Sequence, residues 1–334
     1  MARKPKVAVI GTGGTITSLS GIGPLDLYEY TATGRMLEAD QLVDRFPEVR
    51  EVADIVPVRF KAVPSTAVAF PEWKQVVLEA DRIVAADPGI AGIVVLHGTA
   101  TLEETAYALN LTAKVSVPIV IVGAQRPASA LSGDAGLNLV NAVRTAASPD
   151  ARGLGVLVCL NDEIQAARDV SKTSTARLQT FRTPDFGVLG QADGDAVVFY
   201  RRPIRKGAPD TEFDIRGLAA LPRVDIAYSW AGNDGTATRA FIAAGAQGLV
   251  MAAFAPGMLA PQEMEAAKAA VQAGVTVLIS SRAGSGRTFN ASKIADAGFI
   301  TADNLTPQKA RILLALALTR SKDPAEIRRI FATY

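Results

Sequence analysis

Short apolar runs rich in β-branched residues alternate along the chain with longer stretches whose apolar positions recur at helical spacing. The runs Val7–Ile10, Ile55–Val63, Ile90–Leu96, Pro118–Val122 and Leu154–Leu160 predict buried strands. Between them, Leu37–Phe46, Thr101–Ala113 and Leu137–Ala147 predict helices. A further helix opens at Pro71, with Trp73, Val76, Val77, Ala80, Ile83 and Val84 on one face. Thr101 and Glu104 have the spacing of a capping box. Strand–helix alternation of this kind predicts an α/β fold built on a large, doubly wound, mostly parallel sheet. From Tyr200 to Arg223 the pattern breaks into a basic stretch containing Arg201, Arg202, Arg205, Lys206, Gly207 and Pro209, which predicts a connector. Strands near Val224–Trp230, Gly248–Phe254 and Val275–Ser281 then alternate with helices near Thr236–Ala244 and Pro261–Ala273. The helices Pro307–Thr319 and Asp323–Ala332 finish the chain. The expected organisation is an N-terminal α/β domain over 1–200, a linker over 201–223, and a smaller, flavodoxin-like α/β domain over 224–334.

The first strand empties directly into Gly11–Ile16, GTGGTI. A glycine turn at the carboxyl end of a parallel strand lies where open α/β sheets bind ligands. Gly11, Gly13 and Gly14 let the backbone pass close to a ligand, and Thr12 and Thr15 bring hydroxyls there. Other strands end in polar groups as well: Ser65/Thr66, His97-Gly98-Thr99 and Gln125-Arg126. All of these are expected to share one cleft. Arg168-Asp169-Val170-Ser171-Lys172-Thr173 follows the last strand of the large domain as a loop. Threonines beside a lysine suggest a hydroxyl nucleophile, activated by an amine that takes protons once its pKa is lowered.

Composition narrows the chemistry. Lys and Arg total 35 against 33 Asp and Glu, so no basic field points to nucleic acid or a membrane surface. With 49% hydrophobic residues over 334, the chain can bury two cores. The one histidine, His97, excludes a His-rich metal site and reads as a turn-stabilising residue. The one cysteine, Cys159, lies in an apolar run and reads as core. Trp73 and Trp230 read as packing residues, and Arg126 as a residue that holds its own loop. No cofactor or metal is expected. MARKPK followed by four apolar residues is too short for a signal peptide or membrane span, so a cytoplasmic location is the expectation.

Taken in order, GTGGTI, His97–Tyr107 (HGTATLEETAY), Val122–Pro127, Arg168–Thr173 and Pro307–Arg311 resemble the bacterial L-asparaginase/glutaminase family of amidohydrolases over nearly the whole chain. The resemblance implies a threonine-dependent hydrolase acting on a C–N amide bond of a small molecule, assembled as a homotetramer of intimate dimers. It puts the nucleophile at Thr15 and its partner hydroxyl at Tyr30, with Tyr28 the alternative. Thr99 and Lys172 match the second threonine and the proton-handling lysine. Ser65 matches a binder of the substrate carboxylate, and Thr66, Gly98 and Ala100 are the neighbouring substrate-binding candidates. The oxyanion is expected near the backbone N–H groups of the His97–Ala100 turn.

The chain departs from that family at Ala100, where the family carries an aspartate that faces the substrate ammonium. Ala255-Pro256-Gly257-Met258 replaces a glycine/asparagine-rich stretch that reaches the neighbouring subunit's site. An acidic residue that also meets the ammonium has no match in Thr288–Ile294. Together these imply a substrate that lacks or alters the α-amino group, such as an amide, imide or lactam. The alternatives are an ordinary L-asparaginase, which includes an aspartate-to-alanine change at position 100, and a catalytically silent small-molecule binding protein. A dinucleotide site at Gly11–Ile16 is disfavoured because Ile16 occupies the third glycine position.

Overall fold

The computed structural model describes residues 3–334. The chain divides into two compact units, one ending at Arg216 and the other spanning Gly217–Tyr334.

In the first unit the strands are β1 (Lys6–Gly11), β2 (Ser18–Leu19), β3 (Arg35–Met36), β4 (Asp54–Arg59), β5 (Ile90–Leu96) and β6 (Ile119–Val122). After these come β7 (Leu157–Leu160), β8 (Glu163–Ala166), β9 (Ser171–Lys172), β10 (Phe181–Arg182), β11 (Gly190–Ala192) and β12 (Val197–Phe199). Its helices are α1 (Tyr30–Thr33), α2 (Ala39–Arg45), α3 (Val49–Val52), α4 (Phe70–Ala86), α5 (Leu102–Thr112) and α6 (Ala135–Ala147). Eight strands form one sheet in the order β12-β11-β8-β7-β6-β5-β1-β4. It is parallel from β7 to β4, as the alternation with helices requires. Both faces of its centre are apolar. Val7, Val9, Val94, Leu96, Val120 and Val122 face a core shared with Leu139, Ala142, Val143 and Ala146 of α6. The alternate residues Ala8, Ile10, Ile93, Val95 and Ile121 are equally buried, on the side that α4 and α5 cover.

β8, β11 and β12 extend this sheet antiparallel beyond β7. Their short runs carry too little periodicity to stand out in the sequence. The strand expected over 55–63 leaves the sheet after Arg59, and the one expected from Leu154 begins at Leu157, because Gly153 and Gly155 sit at positive φ. Residues 201–216 lie within this unit. Ala208 N–H donates to Asn110 O at 2.8 Å, and Lys114 Nζ donates to Thr211 O at 2.5 Å, which ties the stretch to the end of α5.

β1 is the topological switch point. The chain steps from β1 outward to β4, then returns to place β5 on the other side. The carboxyl ends of β1 and β5 therefore diverge into loops on opposite sides, which opens a crevice between them.

In the second unit, β13 (Val224–Tyr228), β14 (Gly248–Ala253), β15 (Thr276–Ser281) and β16 (Ile300–Thr301) form a parallel sheet in sequential order. Its helices are α7 (Thr236–Ala243), α8 (Pro261–Gln272), α9 (Ser292–Asp296), α10 (Pro307–Leu318) and α11 (Pro324–Thr333). Leu249, Met251, Val277 and Ile279 pack on Met264, Ala267 and Ala270 of α8, while α10 covers the other face.

Candidate active site

The site is built at the switch point, from the loops that leave β1, β4, β5 and β6. Thr12 joins the ends of β1 and β5: its N–H and its Oγ1 both donate to Leu96 O, at 3.1 and 2.6 Å. That hydroxyl is spent on structure, so of the two threonines in the turn only Thr15 is left for chemistry. Gly14 sits at φ +96°, and a Cβ there would lie 2.2 Å from both Cα and N of Gly98. A Cβ on Gly98 would in turn lie 2.7 Å from Ser65 Cβ. The Gly14 and Gly98 turns thus meet backbone to backbone, with the Ser65 side chain against the second, and glycine at both positions permits it.

Thr15 Oγ1 lies 2.9 Å from Tyr30 Oη, within hydrogen-bond distance. Tyr28 is 75% exposed and bonds through its backbone to Asp26, so Tyr30 is the loop tyrosine that meets the threonine. The connection that carries Tyr30 is fixed to the first unit. Ser20 N–H donates to Ser129 Oγ at 2.8 Å, Ala128 N–H to Ser18 O at 2.8 Å, and Ser20 Oγ to Asp26 Oδ2 at 2.5 Å.

A second pair stands apart from the first. Lys172 Nζ donates to Thr99 Oγ1 at 2.8 Å. Ser171 and Lys172 are not plain loop: they form β9, which pairs antiparallel with β10. Burial holds the Lys172 amine below its ordinary value of 10.5, and the charge of Glu103 offsets part of that shift. The half-buried lysine is thus biased toward the neutral form that can accept a proton.

His97 is fully buried and has a fixed tautomer. Its Nδ1–H donates to Gly98 O at 2.8 Å, and its Nε2 lies 2.9 Å from Thr105 Oγ1. Trp73 Nε1–H donates to the same Thr105 oxygen at 3.0 Å, so the Thr105 hydroxyl is left to donate to the imidazole. Burial pushes the His97 pKa down to about 4. The ring is a neutral brace for the turn before Thr99. His97 N–H itself donates to Val122 O at 2.8 Å, which leaves Gly98, Thr99 and Ala100 as the residues of that turn whose N–H groups could face an oxyanion.

Ser65 is half-buried beside Gly98, whereas Thr66 and Ala100 are exposed. The predicted capping box at Thr101 does not form. Thr101 Oγ1 donates instead to Ser65 O at 2.6 Å, so the hydroxyl ties the Ser65 loop to the start of α5 rather than capping it. Arg126 holds its loop through Ser132 O at 2.7 Å. Sequence reasoning missed Glu103, whose role is visible only once β9 is placed beside α5. Ser171 Oγ donates to its Oε2 at 2.8 Å and Lys172 N–H to its Oε1 at 3.2 Å. Among the described residues no cluster of His, Cys, Asp and Glu could hold a metal ion, and no helix is long and apolar enough to cross a membrane.

The sequence and the fold have counterparts among known proteins. Residues 6–205 match the family model for the asparaginase N-terminal domain, and residues 223–331 match that for the glutaminase/asparaginase C-terminal domain. The chain belongs to the asparaginase family. It is 38% identical to L-asparaginase 2 of Bacillus subtilis over 330 residues, covering 99% of this chain and 87% of that one. It is 35% identical to L-asparaginase 2 of Escherichia coli, covering 99% and 93%. The crystal structure of a probable cytoplasmic L-asparaginase from Campylobacter jejuni matches with a TM-score of 0.93 at 36% identity, covering 99% of this chain and all of that one. Both family domains are thus matched along this chain.

Proposed function

We propose that this asparaginase-family protein is a threonine-dependent amidohydrolase whose substrate lacks or alters the α-ammonium of L-asparagine. The observation that carries the reading is the pairing of Thr15 with Tyr30 and of Thr99 with Lys172, beside an alanine at position 100. In this reading Thr15 Oγ attacks the amide carbon and forms an ester as the C–N bond breaks. The Thr15 hydroxyl proton passes through Thr99 to the neutral Lys172 amine, and the ammonium so formed returns a proton to the departing nitrogen, which leaves as ammonia or an amine. Water then hydrolyses the ester and restores Thr15. No step requires a cofactor. Ser65, with Thr66, Gly98 and Ala100 beside it, borders the substrate. The working assembly is a homotetramer of intimate dimers, and the working location is the cytoplasm.

Ala100 supports the substrate assignment on energetic grounds. An ammonium placed in the site without a carboxylate partner forgoes a charge-assisted hydrogen bond of about 1.5–3 kcal/mol, while its desolvation cost remains. A ligand without that charge forgoes nothing. A second reading, ordinary L-asparaginase activity, is favoured by relatives bearing that name at 35–38% identity over nearly the whole chain.

One assay separates the two. Release of ammonia is measured on L-asparagine and on the same amide without its α-amino group, with Thr15→Ala as control. Preference for the second substrate, lost by about 10³-fold or more in the control, is expected. Efficient, Thr15-dependent turnover of L-asparagine would establish the ordinary reading instead. Activity on neither, with Thr15→Ala indistinguishable, would leave a silent binding protein.

A further inference from the structure

Glu103 is 7% exposed and sits in the first turn of α5, directly after the turn that carries Thr99. Its two oxygens hold the two residues of β9, accepting from Ser171 Oγ at 2.8 Å and from Lys172 N–H at 3.2 Å. β9 is only two residues long and its sole ladder partner is the equally short β10. So brief a ribbon cannot fix a long side chain by backbone pairing alone. Yet Lys172 Nζ is placed at 2.8 Å from Thr99 Oγ1, across 73 residues of sequence. The Glu103 carboxylate touches the lysine's own strand and also belongs to the helix that follows Thr99.

We propose that Glu103 is the positioning residue of the proton-handling pair: its carboxylate locks Lys172 against Thr99 and supplies the negative charge that faces the lysine ammonium. The proposal rests on the amidohydrolase reading for its kinetic consequence, but not for its electrostatic one. The other charges near the ribbon are already engaged. Arg168 is paired with Asp169 at 2.9 Å, and Arg182 on β10 donates to Gln179 Oε1 at 2.7 Å. Glu103 is the charged group that raises the Lys172 pKa against the effect of burial. At position 100, the residue adjoining Thr99, there is no charge at all. The substrate pocket can therefore lose a carboxylate while the lysine keeps one.

The test reads the lysine directly. Trace acylation of Lys172 with acetic anhydride, followed by mass spectrometry across pH, gives the pH at which the amine becomes reactive. In Glu103→Gln that midpoint is expected to move down by about one unit, because the neutral amide no longer favours the ammonium. The acid limb of kcat/KM is expected to move with it. Glu103→Asp keeps the charge and shortens the reach, so its midpoint stays close to wild type while kcat falls about 10- to 100-fold with KM less affected. Where Glu103→Gln yields too little folded protein, Ser171→Ala removes one anchor without burying a new group, and a drop in kcat at unchanged midpoint is expected. An unmoved midpoint in folded Glu103→Gln, or full kcat in both Glu103→Asp and Ser171→Ala, overturns the proposal. If the midpoint moves while the wild-type protein hydrolyses no amide in a Thr15-dependent way, the assignment of Glu103 stands and the functional reading falls.

Discussion

Two titratable side chains in the site respond to burial in ways that set opposite experiments. Lys172 is held below its ordinary 10.5, so a reaction that needs its neutral amine gains rate as pH rises through that lowered value. The acid limb of kcat/KM is expected below 10.5, and Lys172→Met should abolish the limb along with most of the activity. His97 is depressed to about 4 while its unfolded form titrates near 6.5. Between those values the unfolded chain binds a proton that the native protein excludes. Stability is therefore full above pH 6.5, declines as pH falls through 6.5 toward 4, and levels below 4. The contribution is about 3 kcal/mol over the window. Urea unfolding at pH 7 and pH 4.5 checks it: His97→Gln, though weaker overall for loss of its bonds to Gly98 and Thr105, should show a shallower pH dependence by about that amount. An equal slope in both proteins would mean that the ring is charged in the native state. The reach of sequence reasoning is visible at this scale. Thr15, Thr99 and Lys172 each sit in a distinctive motif, and the structure brings Thr15 to Tyr30 and Thr99 to Lys172. Tyr30 over Tyr28 was not legible, since the choice depends on how a connection rich in glycine and proline folds back. Glu103 was hidden because its partners lie 68 and 69 residues away.

At the level of elements, the site depends on how closely the loops after β1, β4 and β5 can approach. Gly14 and Gly98 are the two places where the approach tolerates no side chain. Gly14→Ala places a Cβ against backbone atoms at a positive φ, where neither wall is a flexible side chain. The loss should exceed about 3 kcal/mol, combining overpacking with backbone strain. Gly194 meets nothing within 4 Å, and Gly194→Ala should stay within about 0.5 kcal/mol of wild type. Denaturant midpoints of the two variants, compared with their activity, decide the matter. A Gly14→Ala protein of wild-type stability would show that the two turns do not touch. Of the strands before these loops, β1 and β5 were readable because apolar runs buried on both faces are conspicuous. The antiparallel extension through β8, β11 and β12 was not, because strands of three and four residues are too short to show a period. The capping box failed for a different reason. Local spacing cannot reveal that the Thr101 hydroxyl has a better partner in Ser65 O, 36 residues away.

Over the whole molecule, the chain divides after Arg216, beyond the break in pattern near Tyr200, and each unit has its own core. What a single chain leaves uncovered bears on its assembly. At the carboxyl edge of the small sheet, Tyr228, Trp230, Met258 and Phe289 are 47–61% exposed, unusually apolar for an edge of loops. Phe254 forms an isolated bridge with Met258, and the Arg282 guanidinium lies 4.5 Å from the Phe254 ring centroid and 5.8 Å from that of Tyr228. Arg282 also donates to Ser229 O at 2.8 Å, so the aromatic side chains are presented on a braced platform. Such a surface is best satisfied by another protein, and the proposed homotetramer supplies one. Light scattering should then give a mass four times the 35.0 kDa of one chain. Dilution should lower the melting temperature, since association stabilises by mass action. Trp230→Ser combined with Met258→Ser should reduce the mass without changing the circular dichroism of the fold. A wild-type protein that stays at 35.0 kDa at every concentration, with a melting temperature independent of dilution, would make the apolar edge a feature of the monomer and remove the assembly from the proposal.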